Sequence, residues 1–361
     1  MNTDELIVVS DPPQEQPVPA PTPDLPLRQR VERTAMGIDR LSFKNIFYHV
    51  DKLHEYLSTG DAYPLHILIG LTDYCNHSCR WCYTAYSTHD NVVMEPDGSL
   101  VPVAKTRDDL ILDPDVLLRF LREAREKGLR GASLVGSGEP LLHPQSAEIM
   151  HELGKMEIDF GIFTNGNVIK DPQFDALLKY ASYVRFSLDA ADAEAYSRLH
   201  GKGANFERTL ANLKRLIDER GVQSNRLPTI GAQYVTSQLN ADGMVPFARL
   251  MREIGVDYVS YKPMYDNVMN PDRAHNTMSV EEVYSLLREV KKLETSTFEV
   301  YDKDGEQFKE AWGPRRTNGA VYYQKCMSHQ FSCALYAQGD IYVCVNLAGR
   351  KEFVLGNIYE Q

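Results

Sequence analysis

The 361-residue chain predicts an α/β fold built on a parallel sheet. Three observations lead there. From Leu65 onward, short β-rich runs alternate with amphipathic helical stretches, the pattern of repeated βα units. Three cysteines crowd behind the first run, in Cys75-Asn76-His77-Ser78-Cys79-Arg80-Trp81-Cys82. Glycine and small polar motifs recur where later runs end, and ligands of parallel α/β folds bind at those strand ends.

The elements follow in order. Residues 1–30 carry Pro12, Pro13, Pro17, Pro19, Pro21, Pro23 and Pro26. That stretch cannot bury enough apolar surface to fold alone and reads as a disordered tail. Residues 31–63 form a helical extension, with a helix over 45–57 carrying Ile46, Phe47, Val50, Leu53 and Leu57 near helical spacing. Residues 64–265 are the βα domain. Its strands fall at 65–71, 131–136, 158–164, 182–188, 229–235 and 256–261. Its helices fall at 114–127, 144–155, 173–181, 205–219 and 241–254. Six strands are fewer than the eight of a complete (β/α)8 barrel. Residues 88–110 interrupt the pattern as a flap or hairpin, with Asp97-Gly98 as its turn. Residues 266–311 are a linker and a helix near 279–293, the linker marked by Asn270-Pro271. Residues 312–361 are β-rich, with a hairpin turning at Gln338-Gly339-Asp340.

Composition narrows the function classes. Apolar content of 43% and charged content of 25% are those of a globular protein. A net charge of -11 argues against nucleic acid as a partner, since phosphate binding needs a basic footprint. The acidic start, Met1 to Leu6, lacks the basic region of a signal peptide. No apolar run approaches a membrane span. The expectation is a cytoplasmic protein without membrane partners, where thiols stay reduced and clustered cysteines point to metal.

Cys75, Cys79 and Cys82 on one loop are able to hold three irons of a [4Fe–4S] cluster, leaving the fourth iron open. The same thiols with His77 also make up the four ligands of a structural zinc site, so a non-catalytic metal module stands beside the cluster. Zinc, however, leaves the strand-end motifs unexplained. Gly136-Ser137-Gly138-Glu139-Pro140 follows the second strand, its glycines allowing close backbone approach and Glu139 offering a carboxylate to an ammonium group. By itself the motif also suits a plain turn. Thr164-Asn165-Gly166 and Ser187-Leu188-Asp189 put hydroxyls and amides on the same rim, suited to a ribose or to turns and caps. Gln233-Tyr234-Val235 ends the fifth strand. Arg198 and His200 suit a solvated helix end better than a pocket wall.

The C-x3-C-x2-C spacing resembles the signature of the radical S-adenosylmethionine (SAM) enzymes, in which SAM occupies the open iron. The resemblance implies a partial (β/α)6 TIM-like barrel over residues 64–265. Gly136 to Pro140 is similar to the family's GGEP motif, which holds the SAM amino group, with Ser137 in place of the first paired glycine. By the same resemblance Asn165, Ser187 and Asp189 contact the ribose and methionine carboxylate, Gln233 and Val235 pack near adenine, and Trp81 takes the aromatic position of the first motif.

In the tail, Cys326, Gly339 and Cys344 resemble the SPASM and twitch domains, which bind auxiliary [4Fe–4S] clusters. That implies a small C-terminal, β-hairpin-containing auxiliary cluster domain. The chain lacks the further cysteines of a full SPASM domain, so this one is shortened or incomplete. Cys333 lies off the common pattern and suits a cluster ligand, a core thiol or a hydrogen-atom donor.

The activity implied is reductive cleavage of SAM, with flavodoxin or ferredoxin as electron donor. A 5′-deoxyadenosyl radical then abstracts hydrogen from a substrate carbon, for oxidation or epimerisation of a small polar metabolite of sugar or aminocyclitol type. No peptide-leader-binding domain is evident, which tilts against the alternative, a peptide-modifying maturase.

Overall fold

The computed structural model describes residues 49–82, 92–94, 100–102, 110–221, 227–264, 278–301 and 328–360. The proline-rich tail, the Asp97-Gly98 turn, most of the linker and Cys326 lie outside these residues. The strands are β1 (His66–Ile69), β2 (Val92–Met94), β3 (Leu100–Pro102), β4 (Gly131–Leu134), β5 (Asp159–Thr164), β6 (Ala181–Ser187), β7 (Thr229–Thr236), β8 (Tyr258–Pro263), β9 (Glu299–Tyr301), β10 (Ser332–Leu335), β11 (Asp340–Tyr342) and β12 (Val354–Asn357). The helices are α1 (Val50–Thr59), α2 (Pro114–Glu126), α3 (Ser146–Lys155), α4 (Asp171–Tyr180), α5 (Ala193–His200), α6 (Phe206–Arg220), α7 (Met244–Ile254) and α8 (Val280–Lys291).

All six strands of the βα domain form, and they pair in parallel in the order β1-β4-β5-β6-β7-β8. This is the mixed α/β architecture of a partial TIM-like barrel. Short β9, which the sequence pattern does not reveal, adds in parallel beyond β8. At the other edge β10 pairs in parallel with β1, and β11 and β12 follow antiparallel. The C-terminal hairpin is therefore continuous with the barrel sheet. Its turn is at Gly339, whose φ of +84° is the left-handed region that favours glycine. β2 and β3 form the hairpin expected within 88–110.

The helices start where side chains satisfy free backbone N–H groups. Asp113 accepts from Asp115 and Val116 at the start of α2, Asp192 from Ala195 at α5, and Asn205 from Arg208 at α6. Ser279 and Glu282 form a reciprocal capping box on α8. One face of the sheet packs against these helices through Ile67, Ile69, Phe160, Ile162, Val184 and Phe186. α1 differs from expectation: Val50 and Leu57, assigned to its apolar face, are 60% and 73% exposed.

The other, inner face of the sheet is polar and fitted by glycine. Gly161 opposes Tyr183, whose ring lies 2.0 Å from where a Cβ would sit, and Gly231 opposes Tyr258 at 2.2 Å. Across this face Ser133 is hydrogen-bonded to Tyr183 Oη at 2.8 Å and to His66 Nε2 at 3.0 Å. Burial pushes the His66 imidazole down to about 4.

Candidate active site

The cysteine loop leaves β1 and crosses the rim formed by the C-terminal ends of β4, β5 and β6. Two strips of backbone fix it. On one side Gly138 N–H donates to Thr72 O at 3.0 Å and Glu139 N–H to Tyr74 O at 2.7 Å. This approach demands glycine, because a Cβ on Gly138 would lie 2.3 Å from Tyr74 O. On the other side Ser78 N–H donates to His200 O at 2.9 Å and Arg80 N–H to Leu199 O at 3.0 Å. The end of α5 is thus a seat for the loop.

The three thiols share one electrostatic neighbourhood. Burial, then the Glu139 carboxylate, pushes the Cys75 thiol up to about 12, with Cys82 adding to the effect. Burial pushes Cys79 up strongly, with Cys82 and Cys75 the next causes. Thiols that oppose one another's ionisation this way call for a cationic centre between them, and an iron–sulfur core supplies one. The residues present therefore fit a cluster. The zinc alternative fits less well. The ligand atoms within 4.8 Å of one another are those of His77, Cys79 and His200, a set without Cys75 or Cys82.

His77 is 2% exposed and neither ring nitrogen has a hydrogen-bond partner. Its ring meets Tyr196 and His200 edge-on at 5.9 and 5.5 Å. Burial, with His200 nearby, pushes it down to about 3. It anchors the loop as an apolar ring does.

Glu139 is 4% exposed and bridges two strand ends. Its Oε1 accepts from Thr164 Oγ1 at 2.6 Å and Leu141 N–H at 3.2 Å, and its Oε2 from Asn165 N–H at 2.7 Å. Burial outweighs these bonds and pushes its carboxyl up to about 7. Asn165 Nδ2 donates to Asn76 Oδ1 at 2.8 Å and lies 3.9 Å from Cys75 Sγ. β4, β5 and the cysteine loop are therefore tied at one point.

Ser137, the departure from paired glycines, has a structural partner. Its hydroxyl donates to Asp73, and Asp73 Oδ2 accepts from Gln338 Nε2 at 2.5 Å. Asp73 is 1% exposed, two residues before Cys75, and Gln338 belongs to the C-terminal hairpin turn. One buried carboxylate joins the loop, the glycine motif and the hairpin. Gly136 and Pro140 flank this motif, and a Cβ on Gly136 would lie 2.4 Å from Gly70 Cα.

The other expected site residues divide. Ser187 is half-buried at the rim, and Gln233 Oε1 lies within reach of Arg185 Nη1 at 3.5 Å. Asp189, at φ +57°, is committed to the protein: its Oδ1 accepts from Val235 N–H at 2.6 Å and its Oδ2 lies 3.4 Å from His200 Nε2. Trp81 is 8% exposed and meets His200 edge-on at 6.5 Å, a packing position.

Arg198 is exposed as expected, but His200 corrects the sequence reading. It is 1% exposed, with Nδ1 3.2 Å from Cys79 Sγ and Nε2 2.9 Å from Leu188 O. Tyr196 and His200 lie four residues apart on one buried helix face, a periodicity that marks His200 as inward. The linking roles of Asp73 and Gln338, which are 265 residues apart, have no local signal.

Of the three readings open to Cys333, its position suits the core thiol. Its Cα pairs with Ile67, and it lies in the helix-packed core at 7% exposure, beside Tyr63. Burial pushes its thiol up to about 11. It sits on the sheet face away from the interior. Cys344 is half-buried and precedes the turn 345–347.

Comparison with known proteins agrees with this geometry. Residues 69–231 match the Radical SAM superfamily profile. A probable GTP 3′,8-cyclase of Saccharolobus islandicus is 25% identical over 192 residues, 53% of this chain and 54% of its own. The chain thus spans about half the length of the curated relatives it matches. Among solved structures, Streptococcus suis SuiB bound to precursor peptide SuiA superposes with a TM-score of 0.63 at 17% identity, covering 90% of this chain and 69% of SuiB. Native anSMEcpe with bound AdoMet superposes with a TM-score of 0.57 at 16% identity, covering 82% and 79%. With the cysteine loop and its rim in place, residues 69–231 are a radical SAM domain, of the kind whose chemistry uses a [4Fe–4S] cluster and SAM.

Proposed function

We propose that this protein is a radical SAM oxidoreductase or epimerase that abstracts hydrogen from a carbon of a small polar metabolite. The observation that carries the reading is the convergence of Cys75, Cys79 and Cys82 beside the buried Glu139–Asn165 bridge. When bound, the cluster and SAM supply one-electron cleavage to methionine and a 5′-deoxyadenosyl radical, which removes a hydrogen atom from the substrate. The protein's part is placement. Cys75, Cys79 and Cys82 hold the cluster. The Glu139 carboxylate, raised to about 7 while it faces no cation, ionises readily against an ammonium group. Gly136, Ser137, Gly138 and Pro140 bring backbone close to that group, and Asn165 and Ser187 offer an amide and a hydroxyl to the ribose rim. Gln233 and Val235 border the same rim. Asp189 and Trp81 act behind it, holding β7 and the loop in place. A reduced flavodoxin or ferredoxin serves as electron donor. Cys344 is the described candidate for an auxiliary cluster with Cys326.

The sugar or aminocyclitol expectation gains no support from the relatives. A peptide substrate is the second reading, favoured by the likeness to SuiB with its precursor peptide over 90% of this chain. The inner face of the sheet, polar and cationic, favours the small molecule.

Anaerobic reconstitution with iron and sulfide, then incubation with SAM and dithionite, tests the core proposal. The expected product is 5′-deoxyadenosine, absent from a Cys75→Ala control. Zinc-bound, colourless protein that forms none would exclude it.

A further inference from the structure

The inner face of the sheet carries a buried cation that has no carboxylate partner among the described residues. Along β6, Val184 and Phe186 enter the helix-packed core, while Tyr183, Arg185 and Ser187 stand on the opposite face. Arg185 is 4% exposed. Its Nε donates to Tyr258 Oη at 2.9 Å and its Nη1 to Gln233 Oε1 at 3.5 Å. Its Cζ lies 4.6 Å from the Phe163 ring centroid and 5.5 Å from that of Tyr258. All these partners are neutral. Among the described residues no carboxylate forms an ion pair with Arg185, and its Nη2 makes no hydrogen bond.

A second cation faces the same ring. Lys262 on β8 places Nζ 5.9 Å from the Phe163 centroid. The other inner-face residues of β4 to β8 named above, Ser133, Phe163, Tyr183, Gln233 and Tyr258, carry no carboxylate. Glu299 on β9 shares the face but is exposed and accepts from Tyr301 Oη at 2.7 Å. On β5 the same face carries one carboxylate, Asp159, which lies four residues before Phe163 and has Ser182 Oγ at 3.5 Å, so it stands at the far end of the strand from Arg185, whose Cα partner is Phe163. Cation–π contact with Phe163 offsets part of the cost of a desolvated guanidinium. Pairing with an anion offsets far more, because charge-assisted and bidentate bonds are the strong ones.

We propose that Arg185, assisted by Lys262, binds an anionic group of the substrate, a carboxylate or a phosphate, on the inner face of the sheet. Arg185 precedes Ser187 by two residues, about 6.6 Å of strand below the rim. A substrate held there by its anion presents its uncharged end to the rim. This inference rests on the function proposed above and narrows its substrate class. Arg185 and Lys262 are binding residues in it and take no part in SAM cleavage.

The test is isothermal titration of the reconstituted, SAM-loaded holoenzyme under anaerobic conditions, with inorganic pyrophosphate in one arm and succinate in the other. Saturable binding of pyrophosphate identifies a phosphate site, and of succinate a carboxylate site. Arg185→Gln is expected to weaken that binding at least about tenfold. Lys262→Gln weakens it less, and Arg185→Lys retains part of it. SAM affinity and 5′-deoxyadenosine formation stay at wild-type levels in all three. Failure of both anions to bind wild type, or equal binding to wild type and Lys262→Gln and Arg185→Lys, overturns the proposal. So does loss of SAM binding in Arg185→Lys with the cluster intact, which would give the guanidinium to the SAM site. If Arg185→Gln does not fold, the two other variants decide the matter. Wild type that forms no 5′-deoxyadenosine refutes the proposed function itself, a separate outcome.

Discussion

His200 shows how a single side chain positions a buried thiol, that of Cys79. Its Nε2 faces the Leu188 carbonyl at 2.9 Å and must donate there, which leaves Nδ1 to accept from the Cys79 thiol. Partners behind a ligand orient it and change metal retention by about 10- to 100-fold. His200→Ala is therefore expected to retain roughly tenfold less cluster at limiting iron, measured as iron and sulfide per chain, with helicity unchanged. Glu139 makes a second residue-level prediction. In the folded protein without SAM it keeps its proton to about pH 7, whereas an unfolded glutamate releases it near 4.5. Between those values the folded state binds more protons. The stability this group contributes is full below about pH 4.5 and is lost as pH rises through about 7. Urea midpoints of wild type should thus fall between pH 5 and pH 8 by more than those of Glu139→Gln. Parallel curves for the two proteins would contradict the assignment.

At the scale of elements, the rim depends on strand ends that approach more closely than side chains permit. β1 and β4 leave the sheet side by side, and Gly136 meets Gly70 where a Cβ would sit at 2.4 Å from backbone. Backbone cannot step aside as a flexible side chain does. Gly136→Ala is expected to cost about 2–3 kcal/mol, read as a lowered thermal midpoint of the apo protein. α5 matters for the same reason. Its C-terminal residues, through their carbonyls and His200, hold the loop that carries all three thiols.

For the whole molecule, the C-terminal hairpin completes the sheet. β10 covers the edge of β1 with a parallel ladder from His66–Ser332 to Ile69–Leu335. The turn of the hairpin then reaches the active-site loop through Gln338 and Asp73. Deleting residues 328–361 would expose the β1 edge together with Leu68, whose apolar partners Ala334, Tyr336, Tyr342 and Ala348 leave with the hairpin. An uncovered edge strand beside apolar surface aggregates. The deletion variant should be recovered mainly as insoluble protein, assayed by the soluble fraction at equal expression. Soluble, monomeric protein of native circular dichroism would show that the hairpin is an independent appendage.

The sequence by itself determined the six parallel strands, their helices and the cysteine loop, because periodicity, caps and metal-ligand spacing are local properties. Glu139 and Asn165 were legible for the same reason: each follows a strand within a short, chemically distinct motif. Only the tertiary structure decided what lies across the sheet. It turned His200 inward beneath Cys79, placed Cys333 in the core away from the interior, and joined Asp73 to Gln338. It also set Arg185 on a buried face among neutral partners, with no carboxylate paired to it among the described residues. Those outcomes follow from strand order and pairing between residues far apart in the chain, which no local pattern encodes.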